Sequence, residues 1–257
     1  MKSLVCEIEQ ENGYVIPISD LHLGDKAFTK KSELLLRANL EWVKNHPEAR
    51  IVLVGDIFNC ATRFSKTSPF EQTDGEFNRA VEIFKPHKDQ IIAAIRGNHE
   101  NRLEDFANFS MMDAFCLAIG IPYCQISCAI NFKVNKRPDN KRFRQQYVGY
   151  FHHTSGGGGS VGSKINRIEN MTNMLSNADF YVGAHTHQLS AVPILSREFN
   201  VRTNKVEERR QLLVGSGSYL EYDESYAEAA MLRPVKLGSP RIRLDGTKDH
   251  KDIHVSL

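Results

Sequence analysis

Short unbroken apolar runs alternate with helically spaced ones through the first half of the chain. Tyr14–Ser19, Ile51–Val54 and Ile91–Ile95 place apolar residues at consecutive positions, as strands covered on both faces do. Between them, Ser32–Asn45 sets Leu35, Ala38 and Trp42 on one side of a helix. Phe77, Ala80, Val81 and Phe84 recur at i, i+3, i+4 and i+7, which predicts a helix over about Gly75–Lys85. Leu103, Phe106, Met112, Phe115, Cys116 and Ile119 predict one long third helix, stopped by Gly120 and Pro122. Strand and helix thus alternate three times, the order of an α/β fold with right-handed crossovers.

The second half changes character. Cys124–Val134 and Phe143–Phe151 read as two strands joined through the turn residues Arg137–Lys141. A Gly/Ser-rich loop follows, then a helix over about Lys164–Asn177 and a short strand at Phe180–Val182. Strand-like runs continue beyond Ala191 and end with Arg241–Leu244. The expectation is two packed sheets with helices outside.

Composition changes this picture little. Apolar residues make up 41% and charged residues 25%, ordinary for a globular protein, and a net charge of +2 gives no global signal for nucleic acid or an acidic membrane. No apolar run approaches the roughly 20 residues needed to span a bilayer, so no membrane partner is expected. Met1–Gln10 lacks the basic end and apolar stretch of a signal peptide. Cys6, Cys60, Cys116, Cys124 and Cys128 are odd in number and match no zinc or redox spacing. Reduced, buried thiols and a cytoplasmic location are expected.

The chemistry lies just beyond the apolar runs. Asp20-Leu21-His22, Gly55-Asp56, Gly97-Asn98-His99-Glu100, His152-His153 and His185-Thr186-His187 each follow a predicted strand. Ligands of open α/β sheets bind beyond the carboxyl ends of the strands. Strand alternation would turn Asp20 and His22 toward one ion, and His185 and His187 likewise. Imidazole, carboxylate and amide donors together suit manganese, iron, zinc or nickel better than calcium, with manganese the first expectation. Two such ions about 3.5–4 Å apart would share a hydroxide and clamp a phosphoryl group. Because the motifs span Asp20 to His187, one domain over residues 1–257 is expected.

In order and spacing these motifs resemble the calcineurin-like metallophosphoesterase superfamily, over about residues 14–190. The resemblance implies a four-layer α/β/β/α sandwich with two mixed β-sheets and two divalent metal ions. It implies Asp20, His22 and His187 on one metal, and Asn98, His185 and one of His152 or His153 on the other, with Asp56 bridging. His152 is expected as that ligand because it comes first after the strand Tyr147–Phe151; His153 would then support the ligands or face substrate. His99 resembles the family's catalytic His and is expected to protonate the leaving oxygen; the alternative is that it only stabilises charge. Glu100 would either orient these groups or serve as an acid at a helix N-terminus.

Two departures bear on the substrate. The protein-phosphatase branch carries Asp-Arg three and four residues after the bridging Asp, where this chain has Asn59 and Cys60. That argues against protein phosphatase activity, leaves Asn59 to support the site or touch substrate, and leaves Arg63 as a partial substitute or a solvated loop residue. The Gly-His-x-His motif has an inserted Ala184 but keeps both His residues.

Other features admit two readings each. Gly157-x-Gly159-x-x-Gly162 is a dinucleotide-type match, rejected because it opens no βαβ unit. The loop around Gly157 and Gly158 is then a flexible connection, or a cradle for a second substrate phosphate aided by Lys164 and Arg167. Basic residues from Lys133 to Arg144 form a solvated hairpin tip or a nucleic-acid contact. Tyr219, Tyr222 and Tyr226 pack in the protein or stack on substrate. The leading expectation is a phosphodiesterase hydrolysing a nucleotide or nucleic acid. The alternatives are a phosphomonoesterase on a small metabolite and a metal-stabilised binding protein without catalysis.

Overall fold

The computed structural model describes residues 1–62, 65, 72–139, 141–156 and 158–257, and the backbone alone of Tyr226. Arg63 and Gly157, named above, lie outside the described residues, as does Asn140 of the hairpin turn. The chain runs β1 (Lys2–Ile8), β2 (Asn12–Ile18), α1 (Lys30–Lys44), β3 (Ala49–Val54), α2 (Thr73–Phe84), β4 (Ile91–Ile95), α3 (Asn98–Ala107), α4 (Met111–Ile119), β5 (Ser127–Lys136) and β6 (Phe143–His152). It continues α5 (Val161–Glu169), β7 (Phe180–Gly183), β8 (Leu189–Asn200), β9 (Lys205–Ser216), the single turn α6 (Tyr226–Ala229), β10 (Arg241–Asp245) and β11 (Ile253–Ser256).

The strands form two mixed sheets. The five-stranded one has the order β11-β10-β2-β3-β4, with β2, β3 and β4 parallel and β10 antiparallel to both its neighbours. The six-stranded one has the order β1-β5-β6-β7-β9-β8, mixing parallel and antiparallel pairs.

Three apolar clusters give the layering. Ile16, Ile18 and Leu53 of the smaller sheet pack with Leu36 and Leu40 of α1, Ile83 of α2 and Phe115 of α4. Their sheet neighbours Val15, Val52 and Ile95 point the other way, onto Phe132, Phe151 and Phe180 of the larger sheet. Tyr150, Tyr181 and Leu213 on that sheet's outer face meet Ile168 of α5 and Met171. Consecutive strand residues serve two different cores, which is why the strands read as unbroken apolar runs. Helix, sheet, sheet and helix follow one another as expected.

Most predicted elements lie within a few residues of the observed ones; the long third helix does not. Asn108 is left-handed (φ 50°), and its N–H donates to the Glu104 carbonyl at 2.8 Å, ending α3. After that break α4 turns Met112, Phe115, Cys116 and Ile119 into the core, while Phe106 stays 54% exposed. The apolar spacing belongs to two helices with different orientations. The second-half helix is also shorter than predicted, α5 giving way at Asn170 to one 3-10 turn. Among the described residues, no helix is long and apolar enough to cross a membrane.

Gly149 lets the inter-sheet core close. A Cβ there would lie 2.4 Å from Cζ of Phe180 and 3.0 Å from Cε2 of Phe151, both core rings. Gly149→Ala is expected to cost about 1–3 kcal/mol through overpacking, measured as a lower urea midpoint with an unchanged slope.

Candidate metal centre

The expected motifs lie at the C-terminal ends of β2, β3, β4, β6 and β7, in the loops that leave them, except that His152 is still in β6 and α3 begins at Asn98 itself. The local backbone is not the one expected. Asp20, His22, Asp56, His185 and His187 all have positive φ, between 47° and 72°. None lies in a strand, so strand alternation is not what aims them. Left-handed residues other than Gly are uncommon and tend to gather at functional sites, where surrounding structure holds them. Here main-chain bonds do so. Asp20 N–H donates to the Gly55 carbonyl at 3.1 Å, and Leu21 and His22 N–H donate to the Asp56 carbonyl at 2.9 and 3.0 Å.

Glu100 fixes the middle of the site. It is 1% exposed. Its Oε2 accepts from the N–H of Gly97 at 2.7 Å and of Asp56 at 3.0 Å, and its Oε1 accepts from Phe58 N–H at 3.0 Å. It is both an acid in the first turn of α3 and a bridge between the β3 and β4 exits. Burial and the nearby Asp56 push its carboxyl up to about 7, while the Phe58 and Gly97 N–H groups and His153 pull the other way. Glu76 of α2 does the same for the far end of the loop, accepting from Cys60 N–H at 2.9 Å. Gly97 has no room for a side chain: a Cβ would lie 2.1 Å from Asp56 Oδ1.

The donors converge on Asp20 and Asp56. Asp20, His22 and His187 bring ligand atoms within 4.8 Å of one another, and so do Asp56, His153 and His185. His187 Nε2 is 3.4 Å from Asp20 Oδ1, and His153 Nε2 is 3.1 Å from Asp56 Oδ2 and 3.1 Å from Asn98 Oδ1. His153 Nδ1–H donates to the Val54 carbonyl at 2.7 Å, which leaves Nε2 free for a cation. His22 Nε2 is buried without a hydrogen bond, 3.7 Å from Asp56 Oδ2. A nitrogen and a carboxylate oxygen that face each other at that distance fit a shared cation.

The electrostatics agree. Burial by itself would raise both Asp carboxyls, but His187 at Asp20 and His153 at Asp56 outweigh it and hold both below the usual range, Asp56 well below. Burial works to lower His153, yet the Asp56 charge and hydrogen bond, with Asp20, lift it to about 10. Positive charge is favoured between these carboxylates. His22 and His185 are pushed down by burial and stay neutral ligands in waiting. Imidazole, carboxylate and the Asn98 amide form a mixed donor set that suits transition metals.

His152, the expected ligand, is not among the grouped donors. His152 belongs to β6, pairing in register with Ser127 and Gly183, and its Nδ1 accepts from Thr154 N–H at 2.7 Å. His153 is the first residue past the strand and the one among the donors. The rule of taking the first residue after the strand holds; the strand ends one residue later than its apolar run.

His99 N–H donates to Asp56 Oδ1 at 2.9 Å, tying the helix start to the carboxylate. Its ring Nδ1 lies 2.8 Å from the Asn59 carbonyl and 3.2 Å from His22 Nδ1. Arg102 Nη2, purely a donor, lies 2.9 Å from the same Nδ1, so the Asn59 oxygen favours a hydrogen on that nitrogen and the guanidinium opposes it. Burial holds the ring below the usual histidine range; Asp56 opposes this and Arg102 adds to it. Asn59 thus acts through its main chain, and the missing carboxylate at that position does not leave His99 unsupported. Arg102, which sequence reasoning missed, donates from Nη2 to the same carbonyl at 2.9 Å. Its signal was present: three residues after His99, it shares the same face of α3.

His22, Asp56, Asn98, His99, Arg102, His185 and His187 line a cavity of about 610 Å³ that also takes in Gly156, Gly158 and Lys164. A further wall comes from the 220–235 segment, with Leu220, Tyr222, Leu232 and Val235. No periodicity announced that wall, because it is mostly irregular chain. Of the late tyrosines, Tyr219 is buried and bonded to Asn39 and Ser239, while Tyr222 reaches the cavity. The basic hairpin is elsewhere: Lys133, Lys136 and Arg144 pair with Glu7, Glu9 and Asp249. It lies at the opposite end of β6 from His152, about 30 Å along the strand.

A family model described as Calcineurin-like phosphoesterase matches residues 15–189, most of the chain and every donor named above. The chain is a calcineurin-like phosphoesterase. Among solved structures, it is similar to Pseudomonas putida nuclease MPE, with 13% identity over 90% of this chain and 84% of that one, at a TM-score of 0.39. It is similar to Haemophilus influenzae NAD nucleotidase, with 8% identity over 96% of this chain and 49% of that one, at 0.42. It is also similar to GAP50, the anchor in the inner membrane complex of Plasmodium, with 11% identity over 95% and 88%, at 0.47. No curated protein matches this phosphoesterase.

Bound manganese separates the adjacent histidines. His153→Ala is expected to lose about one equivalent of metal per chain and His152→Ala none, read by elemental analysis after manganese loading and desalting. The opposite pattern would return the ligand role to His152.

Proposed function

We propose that this phosphoesterase is a dinuclear, manganese-preferring phosphodiesterase that hydrolyses a nucleotide or nucleic-acid phosphodiester. The observation that carries the reading is the pairing of two carboxylate-imidazole trios inside a cavity much larger than a phosphate. Asp20, His22 and His187 would hold one cation, and His153, His185 and Asn98 the other. Asp56 touches both groups, through His22 at 3.7 Å and His153 at 3.1 Å. Divalent ions bound there supply Lewis acidity and an ionised water near neutral pH.

The chain's own residues do the rest. Asp56, locked by Glu100 and by its contact with His99, keeps the two donor groups in one register. His99 lines the cavity and, once its ring has taken up a proton as imidazolium, is the proton donor for the leaving oxygen. The Arg102 guanidinium, braced on the Asn59 carbonyl, neutralises a non-bridging phosphoryl oxygen. The 220–235 wall, apolar at Leu220, Tyr222, Leu232 and Val235 and charged at Glu221 and Arg233, leaves room for an organic group on the ester, which supports a diester over a small monoester. A single domain over residues 1–257 and a reducing, cytoplasmic setting belong to the same proposal, the second supported by five buried thiols, none in a disulfide.

Bis-p-nitrophenyl phosphate with Mn²⁺ is expected to be hydrolysed faster than p-nitrophenyl phosphate, and dinucleotides to be cleaved. Hydrolysis of the monoester alone would favour a phosphomonoesterase; metal binding without turnover would favour a binding protein. His99→Ala is expected to slow diesters with poor leaving groups by about 10²–10⁴-fold and p-nitrophenyl esters far less. Equal losses would restrict His99 to charge stabilisation.

A further inference from the structure

Lys164 is the cation in the cavity that its surroundings do not explain. It is 8% exposed, in a class of residue almost never buried without a partner. Among the described residues no hydrogen bond or ion pair is made by its side chain, and burial alone pushes its ammonium below the ordinary lysine range with no carboxylate to oppose it. Its place on α5 is one turn before Ile168, whose side chain packs into the outer core and beside Gly183, just before the His185 loop. Positions four apart share a helix face, so Lys164 occupies the core-facing side, where an apolar residue would cost less. Instead its ammonium opens into the same cavity as Asn98, His185 and His187.

A sheltered cation aimed into a ligand cavity, without a protein anion, fits an anion brought by the ligand. Two residues without side chains, Gly156 and Gly158, line the same cavity. Gly156 is left-handed (φ 85°), and a Cβ on it would lie 2.9 Å from the Arg167 guanidinium carbon. Arg167 is thus packed behind the loop, and Lys164 is the cation of this helix that faces the cavity. Resting on the phosphodiesterase reading above, we propose that Lys164, with Gly156 and Gly158 beside it, forms a second anion subsite, so that the substrate carries a phosphate beyond the one being hydrolysed. The apolar wall of Leu220, Tyr222, Leu232 and Val235 then receives a nucleoside between or beside the two phosphates. The substrate class is a nucleotide ester with an additional phosphate, supplied by a nucleoside bisphosphate unit or by the end of a nucleic-acid strand.

The test compares two chromogenic esters that differ only in that phosphate: thymidine 5′-(p-nitrophenyl phosphate) with and without a 3′-phosphate. Wild type is expected to show a KM about 10–100-fold lower for the 3′-phosphorylated ester, the range of one charged hydrogen bond. Lys164→Gln should abolish that ratio and Lys164→Arg should restore most of it. No preference in wild type, or a preference that survives Lys164→Gln, would overturn the subsite. A binding arm does not depend on turnover: adenosine 3′,5′-bisphosphate should bind the manganese-loaded protein more tightly than adenosine 5′-monophosphate by calorimetry, and Lys164→Gln should equalise them. If neither ester is hydrolysed but the calorimetric difference holds, the subsite stands and the catalytic reading falls. Competition by a 5′-phosphorylated trinucleotide at lower concentration than the bisphosphate would identify a strand end as the source; the reverse would identify the free nucleotide.

Discussion

The site depends on one carboxylate accepting three main-chain N–H groups. Glu100 holds Gly97, Asp56 and Phe58 at hydrogen-bond distance, and those residues lie on the exits of adjacent parallel strands. Two loops without regular structure become one rigid floor. Asp56 can then remain left-handed, because its amide is bound to Glu100 and its carbonyl receives Leu21 and His22. The aim of His22 therefore follows from Asp56, and the position of Asp56 follows from a residue that touches no expected ligand atom directly. A buried acid beside another carboxylate is unfavourable in isolation. Its three donors and the cationic field around His153 make it tolerable, and the benefit is geometric precision rather than stability.

The donors were legible because they come immediately after apolar runs, and the end of a strand is where loops converge in an α/β sheet. Their aim has another cause than strand alternation. Asp20 and His22 face one place through left-handed backbone and shared main-chain bonds, not through strand alternation, and no pattern of residue types reveals a positive φ at Asp or His. His152 lies one residue outside the grouped donors for a related reason. Phe151 ends the apolar run, but the hydrogen-bond ladder continues through His152 to Gly183.

Other features were illegible for different physical causes. Apolar spacing from Leu103 to Ile119 fits one helix as well as two, and only the conformation of Asn108 decides between them. The side chain of Asn59 is what its residue type advertises, while the structure uses its carbonyl, which any residue carries. The 220–235 wall belongs to irregular chain that takes its place from packing against the site. Its Tyr222 could not be told from the buried Tyr219 three residues earlier.

The two sheets contribute unequally to the cage. Asp20, Asp56 and Asn98 hang from the smaller sheet, His153, His185 and His187 from the larger. Each proposed cation is gripped from both sides of the sandwich. Metal affinity is then also adhesion between the layers. A strong chelator should loosen this protein as well as silence it, making the stripped chain easier prey for proteases.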